Sequence, residues 1–220
     1  MTSAAIGDAE VQHRLTSPGR RTRNRIVHTA ADLMYLHGVA GTSIPDIQNA
    51  AGVSASQIYH YFGDKQGLVR AVIAHQIEAT LVGQGPMLER LDSFEAIRAW
   101  CDAFATRLES QSCERGCELG ALASELAESD DTTRADLVEA FDRWEAPFRD
   151  GLALMQQRGE LRGDVDTAEL ATAIMAAVQG GVLLSQLRRS STPLRQATAA
   201  AVGYIETLAT PQPSRRIRRR

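Results

Sequence analysis

The chain has 220 residues, of which 44% are hydrophobic and 23% charged, a composition that excludes a disordered chain and predicts one or two folded domains. There is no secretion signal, no uninterrupted apolar run near the roughly 18 residues of a membrane span, and only three cysteines, so we expect a cytoplasmic protein with reduced thiols. Residues 76–214 hold twelve Lys or Arg against twenty-two Asp or Glu, which excludes binding of nucleic acid over the whole surface.

The chain is predicted to begin with a flexible tail over residues 1–18, and Ser17-Pro18-Gly19 is predicted to form a turn where the tail ends. The first helix is predicted from about Arg21 to His37. Four arginines stand near its start: Arg20, Arg21, Arg23 and Arg25. Such a run is either a solvated helix end or, beside a DNA-binding motif, a set of phosphate contacts, and we favour the phosphate contacts.

Two short helices come next, and each has its own start signal. Ser43 and Asp46 have the spacing of a capping box, with Pro45 in the first turn, where a missing N–H does little harm. Ser54 and Gln57 repeat the capping-box spacing at the second helix. The sequence therefore predicts a pair of capped helices.

The connection between these helices is typical of a helix-turn-helix. Gly52 is predicted to end the first helix in the left-handed conformation. Ile58 and Phe62 lie four residues apart on the second helix, so they share the inward face, together with Ile47 and Ala50 of the first. The remaining surface of the second helix is polar and aromatic, which suits base edges and phosphates in a major groove. An ordinary αα-hairpin with a solvated face is the alternative that spacing alone leaves open.

A fourth helix is predicted from Asp64 to about Val82. Lys65 lies in its first turn, beside backbone N–H groups, so this helix end is predicted to bind phosphate. Gly83-Gln84-Gly85-Pro86 is predicted to break the chain.

The rest of the chain is predicted to be helical, with breaks rich in Gly, Pro and Asp. The expected helices cover residues 93–110, 118–128, 132–158, 166–188 and 192–208. Pro147 should bend the third of these. No strand-like alternation is found, so the predicted class is all-α.

Signatures of enzymes are missing from the sequence. It has no glycine-rich phosphate loop, no His-rich metal spacing and no nucleophile elbow, so we expect no catalytic residue, no metal site and no cofactor. Asp130 and Asp131 have the position of helix caps rather than of paired catalytic acids. Cys113 and Cys117 are either reduced packing residues or a redox-sensitive pair, and we favour packing.

The segment from Thr22 to Ile73 resembles the DNA-binding domain of the TetR family of bacterial repressors. It contains, in order, an Ala-rich helix ending in HG, then T-S-I-x-D-I, A-G-V-S, I-Y-x-Y-F and D-K-x-x-L. One departure is Pro45, which stands where relatives often carry a basic residue.

The resemblance implies a three-helix helix-turn-helix domain followed by a helical ligand-binding and dimerisation domain. We place the DNA-binding domain, with its connecting helix, at residues 19–82, the C-terminal domain at 83–210 and a basic tail at 211–220. The implied function is a repressor that binds double-stranded palindromic operator DNA as a homodimer and is released by a small hydrophobic or aromatic effector. The alternatives are a helical enzyme or carrier, and an architectural DNA binder without an effector.

Two sets of site residues are predicted. The DNA-binding set is Ser43, Ser54, Ala55, Ser56, Gln57, Tyr59, His60, Tyr61 and Lys65. The effector-binding set is Trp100, Phe104, Trp144, Phe148, Met175 and Gln179, whose aromatic members taken alone would equally suit a plain core. The dimer is predicted on the last two helices, which are rich in Ala and Gly, with Ala177→Glu or Val182→Glu expected to damage it.

Overall fold

The computed structural model describes residues 15–210, and every named secondary-structure element within that range is an α-helix. Nine helices follow in this range: α1 (Ser17–His37), α2 (Ile44–Ala51), α3 (Ala55–Phe62), α4 (Lys65–Leu88), α5 (Phe94–Ser110), α6 (Glu118–Leu126), α7 (Asp131–Gln157), α8 (Thr167–Arg188) and α9 (Thr192–Thr207). The all-α prediction is confirmed, and α5 to α9 begin and end within two residues of their predicted bounds. The basic segment 211–220 and most of the predicted N-terminal tail lie outside the described residues.

Helix α1 begins four residues earlier than predicted. The Thr16 side chain accepts a hydrogen bond from the Gly19 N–H at 3.3 Å and caps the helix, so the predicted turn at Ser17-Pro18-Gly19 is the first helical turn. The prediction was wrong because Pro18 lies where helix N–H groups have no intrahelical partner, and its missing N–H costs nothing there.

Helix α4 continues through the predicted break and ends at Leu88, with Pro86 inside it. The Trp100 indole N–H donates to Gln84 Oε1 at 3.1 Å, and Leu88 is buried. These packing contacts hold the last turn in helical conformation, although Pro86 lacks one hydrogen bond and two glycines precede it. Tertiary packing has overridden local propensity at this point.

The chain forms two compact units. The described residues up to Gly83 pack with Glu118–Trp144, whereas Gln84–Cys117 pack with Glu145 and the residues that follow. Helices α4 and α7 each pass from one unit into the other. The first unit thus contains α6 and the first half of α7, which the predicted division at residue 82 assigned to the C-terminal domain. That functional division stays a prediction.

The core of the first unit consists of branched aliphatic side chains at helical spacing. Ile26 of α1, Ile47 of α2, Ile58 of α3 and Leu68 of α4 are all fully buried. Ala50, which was predicted to share the apolar face of α2, is instead exposed. The inward face of α2 is therefore narrower than its sequence indicated.

The second unit is built around close packing of α8 on α9. A Cβ added to Gly181 would lie 2.7 Å from the Cα of Leu194, so only glycine permits this approach of the two backbones. The fully buried hydroxyl of Ser185 accepts a hydrogen bond from the Leu194 N–H at 3.1 Å, which satisfies a donor in the first turn of α9.

Among the described helices, α8 is long and apolar enough to cross a membrane, judged by length and composition alone. Its mean hydropathy reaches 1.5 over an 18-residue window, of which 44% is buried within the protein. The expectation from the sequence counted only uninterrupted apolar residues and therefore passed over this helix. Because the core helix of a soluble protein meets the same criterion, this is weak evidence for a span.

Candidate nucleic-acid interface

Helices α2 and α3 form the predicted helix-turn-helix, and a complete capping box starts each of them. In α2 the Ser43 N–H donates to Asp46 Oδ2 at 2.9 Å, while the Asp46 N–H donates to Ser43 Oγ at 3.3 Å. In α3 the Ser54 N–H donates to Gln57 Oε1 at 2.9 Å, and the Gln57 N–H donates to Ser54 Oγ at 3.2 Å. The hydrogen bonds from Ser43 also hold the pKa of Asp46 below its ordinary value.

Helix α3 presents the predicted DNA-binding residues on its open side, while Ile58 faces the core. Ser54, Ser56, Gln57, Tyr59 and His60 are exposed, and Ala55 and Tyr61 are half-buried. Tyr59 is 49% exposed, so about half of its surface is open to solvent. On α2, Ser43 is exposed as well. The structure therefore brings eight of the nine predicted residues to the helix pair, and the ninth, Lys65, begins α4.

The side chain of Gln57 folds back onto the start of its own helix. Its amide oxygen is the acceptor for the Ser54 N–H, so it is occupied in this structure. A two-point contact with adenine needs both the oxygen and the nitrogen of a glutamine amide. As long as the cap stays closed, Gln57 therefore offers a base edge its amide N–H donors but not its amide oxygen.

Arg23 does not belong to the predicted group of phosphate contacts. It is 3% exposed, and its guanidinium carbon lies 5.1 Å from the centroid of the Phe62 ring, at the end of α3. The phosphate prediction is wrong for Arg23 because it shares a helical face with Ile26 and Ala30, a spacing that was visible in the sequence. Its stacking instead joins α1 to α3.

The other basic residues near the helix pair remain outside the core, and several also contact backbone carbonyls. Arg20 Nη1 donates to the Leu15 carbonyl at 2.6 Å, and Arg25 Nε donates to the Ala51 carbonyl at 3.0 Å. Lys65 Nζ donates to the Val39 carbonyl at 2.7 Å. An ammonium has three donors, so two on Lys65 remain for a phosphate.

Asp64 occupies part of the helix end at which phosphate was predicted to bind. Its Oδ1 accepts a hydrogen bond from the Gly67 N–H at 2.7 Å. One N–H group at the start of α4 is thus satisfied within the protein, and a carboxylate lies there. Any phosphate at this end would depend on Lys65 rather than on the helix terminus alone.

Part of the predicted effector set forms one aromatic cluster in the second unit. The Trp100 and Phe104 rings stack with centroids 5.2 Å apart, and Phe148 meets Trp100 edge-on at 4.8 Å. Trp100 and Phe148 are almost fully buried. Trp144 is also buried, but it belongs to the first unit, where its ring lies 6.2 Å from that of Phe141.

Met175 and Gln179 lie one turn apart on α8. Met175 is buried, whereas Gln179 is half-buried. The Gln179 amide nitrogen lies 3.6 Å from Cys117 Sγ and 3.8 Å from Met175 Sδ, and sulfur atoms are weak acceptors. A ligand oxygen would be a better partner for this amide.

Several titratable residues among those described have pKa values that are shifted by burial or by helix capping. Within residues 15–210 no three His, Cys, Asp or Glu side chains are arranged to hold a metal ion. Burial raises the pKa of the Cys101 thiol to about 11, which keeps it protonated. Asp130 is a helix cap, as predicted: it accepts from the Thr132 and Thr133 N–H groups, and these bonds, led by that of Thr133, lower its pKa to about 2.

Two family models match the chain. One is described as bacterial regulatory proteins of the tetR family and matches residues 26–72. The other is described as the C-terminal domain of LmrA/YxaF-like transcriptional regulators and matches residues 93–200. The first match covers the helix pair, and the second covers the helices downstream.

Relatives and solved structures share most of this chain. The HTH-type transcriptional regulator YxaF of Bacillus subtilis is 30% identical over 82% of this chain and 92% of its own. The HTH-type transcriptional repressor DhaR of a Mycobacterium species is 27% identical over 79% and 87%, respectively. A crystal structure of a TetR transcriptional regulator from Chloroflexus aurantiacus superposes with a TM-score of 0.74 at 28% identity, covering 88% of this chain and 98% of that one.

Proposed function

Because the chain belongs to the TetR family of bacterial transcriptional regulators, we propose that it is a repressor that binds a palindromic operator as a homodimer and is released by a small hydrophobic or aromatic effector. DNA binding through a helix-turn-helix is the property of the family, and nothing in the matches indicates catalysis. The operator, the dimer and the effector are the proposed parts, and we place their action in the cytoplasm, where the DNA is.

The observation that carries the proposal is the construction of α3. Both ends of this short helix are fixed, by the Ser54–Gln57 box and by Arg23 stacked on Phe62, and its outward residues are polar or aromatic. A helix held in this way presents the edges of Tyr59 and His60 without further ordering. Such preorganisation lowers the entropy cost of binding in a major groove.

Exposed apolar residues on α8 and α9 support the homodimer. Leu183 and Leu187 on α8 are 57% and 73% exposed, and Tyr204 on α9 is 59% exposed. Apolar side chains clustered on one face typify an isologous contact with a second copy. Val182 is 3% exposed and belongs to the subunit core, so Val182→Glu would damage the subunit itself and does not suit a test of the dimer.

The aromatic cluster around Trp100 supports a hydrophobic effector. Trp100 and Phe148 are buried, so the half-buried Phe104 is the ring of the cluster that is open to a ligand, and the Gln179 amide, whose acceptors among the described residues are sulfur atoms, offers one polar contact. An effector shifts the protein away from DNA only if it binds the two arrangements with different affinity. Helix α4 carries such a shift in our proposal: it starts with Lys65 and, with 24 residues, is about 36 Å long.

The proposal is tested by measuring mobility shifts with the DNA upstream of the protein's own gene, with and without a panel of hydrophobic and aromatic compounds. We expect a complex of two chains per duplex that at least one compound dissociates. A chain that binds such compounds but no DNA would point to a carrier or an enzyme. A chain that binds every duplex alike and ignores every compound would be an architectural protein.

The spacing mechanism has its own test. Two recognition helices must lie roughly 34–36 Å apart to enter successive major grooves on one side of B-DNA. A designed cross-link that joins the two DNA-binding modules at this spacing should abolish the effector's action. If the compound still weakens operator binding equally in the cross-linked dimer, the effector does not act through spacing.

A further inference from the structure

A carboxylate from α6 holds the turn between α1 and α2. Glu125 Oε2 accepts a hydrogen bond from the Val39 N–H at 2.8 Å, and Oε1 accepts from the Ala40 N–H at 2.7 Å. Both oxygens of one side chain thus engage two successive backbone donors, and α1 and α6 pack on each other. Hydrogen bonds to a charged acceptor are among the stronger ones in proteins.

The same turn is held from its other side by Lys65. The Val39 carbonyl accepts from Lys65 Nζ at 2.7 Å and from the Thr42 N–H at 3.3 Å. Val39 is therefore fixed at its N–H by Glu125 and at its C=O by Lys65. We call this arrangement the Val39 clasp. It leaves little freedom in the five residues that connect α1 to the Ser43 cap of α2.

Space around the clasp is tight. Gly38, which precedes Val39, has a φ of +75°, and a Cβ built on it would lie 3.2 Å from Glu125 Oε2. A side chain at position 38 would therefore push the Glu125 carboxylate away from the backbone of the turn. The close approach and the two hydrogen bonds together define where the turn lies relative to α6.

The segment that carries Glu125 is itself bound to the start of α4. The Gln66 amide donates to Asp130 Oδ2 at 2.5 Å, and Arg70 pairs with Asp136 at 2.5 Å. Further along, Arg143 pairs with Glu78 at 2.5 Å. Residues 118–144 are therefore joined to the helix-turn-helix by polar contacts at both the α1–α2 turn and α4.

We propose that Glu125 is a positioning residue of the DNA-binding module, whose carboxylate fixes the α1–α2 turn and thereby sets the orientation of α2 and α3 towards DNA. The inference rests on the proposed function. Glu125 acts through the Val39 clasp, whose two hydrogen bonds from this side chain lie in the turn that leads to α2. A movement of α6 would consequently reach the recognition helix through this side chain.

Positioning and simple electrostatics predict opposite results for Glu125→Gln. Removing a carboxylate from a DNA-binding module lessens its repulsion of phosphate, so charge alone would strengthen DNA binding. Gln offers one oxygen and replaces the other with an N–H₂ group that faces a backbone N–H, so the clasp loses a hydrogen bond. Positioning therefore predicts weaker binding.

The matched control is Glu128→Gln. Glu128 is exposed, lies three residues further along the same segment, and loses the same charge when it is substituted. The probe is a duplex enriched from a random library by the wild-type protein. We expect Glu125→Gln to weaken binding on the order of ten-fold, with an unchanged salt slope, whereas Glu128→Gln binds as well as wild type or slightly better. Equal binding by the two variants would overturn the inference.

Amide hydrogen exchange at Val39 and Ala40 gives a readout that needs no DNA. In Glu125→Gln these two amides should exchange on the order of ten-fold faster than in Glu128→Gln, while the amides of Ile26 and Val72 keep their protection. Unchanged exchange at positions 39 and 40 would overturn the clasp even if DNA binding fell. If the wild-type protein enriches no duplex, the proposed function fails, and the exchange experiment still decides the clasp.

Discussion

Gln57 is the residue at which folding and recognition make competing demands. Its amide oxygen caps α3 through the Ser54 N–H, while its amide nitrogen is left for DNA. Glu at this position keeps the capping oxygen and suits the positive end of the helix dipole, but it has no donor and it repels phosphate.

We therefore expect Gln57→Glu to leave the melting temperature equal to or slightly above that of wild type while operator affinity falls by at least about ten-fold. Gln157→Glu, an exposed substitution with the same change in charge, serves as the control: it should leave operator affinity unchanged, while its carboxylate at the negative end of the α7 dipole lowers the melting temperature slightly. Thermal unfolding measures the melting temperature, and a binding titration measures the operator affinity. Unchanged operator affinity in Gln57→Glu would mean that Gln57 acts only as a cap.

A pair of histidines leads us to expect that the stability of the first unit depends on pH. The rings of His28 and His75 lie edge to face with centroids 4.2 Å apart. Burial lowers the pKa of His75 from its ordinary 6.5, and the neighbouring His28 lowers it further, while Asp32 opposes the shift. Because the folded state binds a proton less readily than the unfolded state, stability present above pH 6.5 is lost as the pH falls through the lower folded pKa.

His75→Gln should flatten this dependence. The difference between the melting temperatures at about pH 8 and at about pH 5 should be smaller in the variant than in wild type. Asp46 and Asp130 also have lowered pKa values, but their effects lie at more acidic pH and are common to both proteins. An identical pH profile in the two proteins would refute the assignment to His75.

Contacts between residues close in sequence were predictable, and distant contacts were not. The two capping boxes join residues three apart, so their side-chain types alone indicate them. The burial of Arg23 could also have been predicted from its spacing to Ile26. The contact of Glu125 with Val39 spans 86 positions, and no local pattern marks it.

At the scale of helices, Gly and Pro predicted ends correctly only where no distant contact opposed them. Gly52 ends α2 in the left-handed conformation, as its sequence indicated. The Gly83–Pro86 stretch predicted an end for α4, but the contact between Gln84 and Trp100 holds the helix beyond it. The partner of Gln84 lies in another helix, so the local sequence could not reveal it.

Two helix glycines should respond to alanine in opposite directions. Gly181→Ala places a methyl group 2.7 Å from the Leu194 Cα and forces α8 away from α9, so we expect a loss of roughly 1–3 kcal/mol in the free energy of unfolding. Gly203→Ala on α9 meets nothing within 4 Å and should gain about 0.5–1 kcal/mol from helix propensity. Denaturant unfolding measures both, and a stable Gly181→Ala would show that the two helices can separate at little cost.

At the scale of the whole molecule, the sequence predicted the dimer from the small residues of the last two helices. The structure separates the small residues, which pack the two helices together, from the exposed residues that are available to a second copy. Some of the small residues on α8, such as Gly181, serve the packing of α8 on α9 within one subunit. The face left open carries large apolar residues instead, among them Leu187 and Tyr204. Which side of a small-residue helix faces inward depends on its partner, and the sequence does not specify that partner.

Leu187→Glu should convert the dimer into a monomer. A charge on an apolar isologous face is introduced twice, once from each copy, and it must be desolvated both times. Leu36→Glu is the control, because Leu36 on α1 is 66% exposed and lies away from α8 and α9 in the chain. Light scattering at micromolar concentration should give one chain for Leu187→Glu and two for the control. Two chains for both variants would place the dimer contact elsewhere.

The central claim is that two copies of α3 bind one palindromic operator, and selection from a random duplex library tests it most directly. The wild-type protein should enrich duplexes with two inverted half-sites whose centres are about 10 base pairs apart or a multiple of that, bound by two chains, while Tyr59→Ala enriches the same sites poorly. Enrichment of a single half-site bound by one chain, or no enrichment at all, would contradict the account.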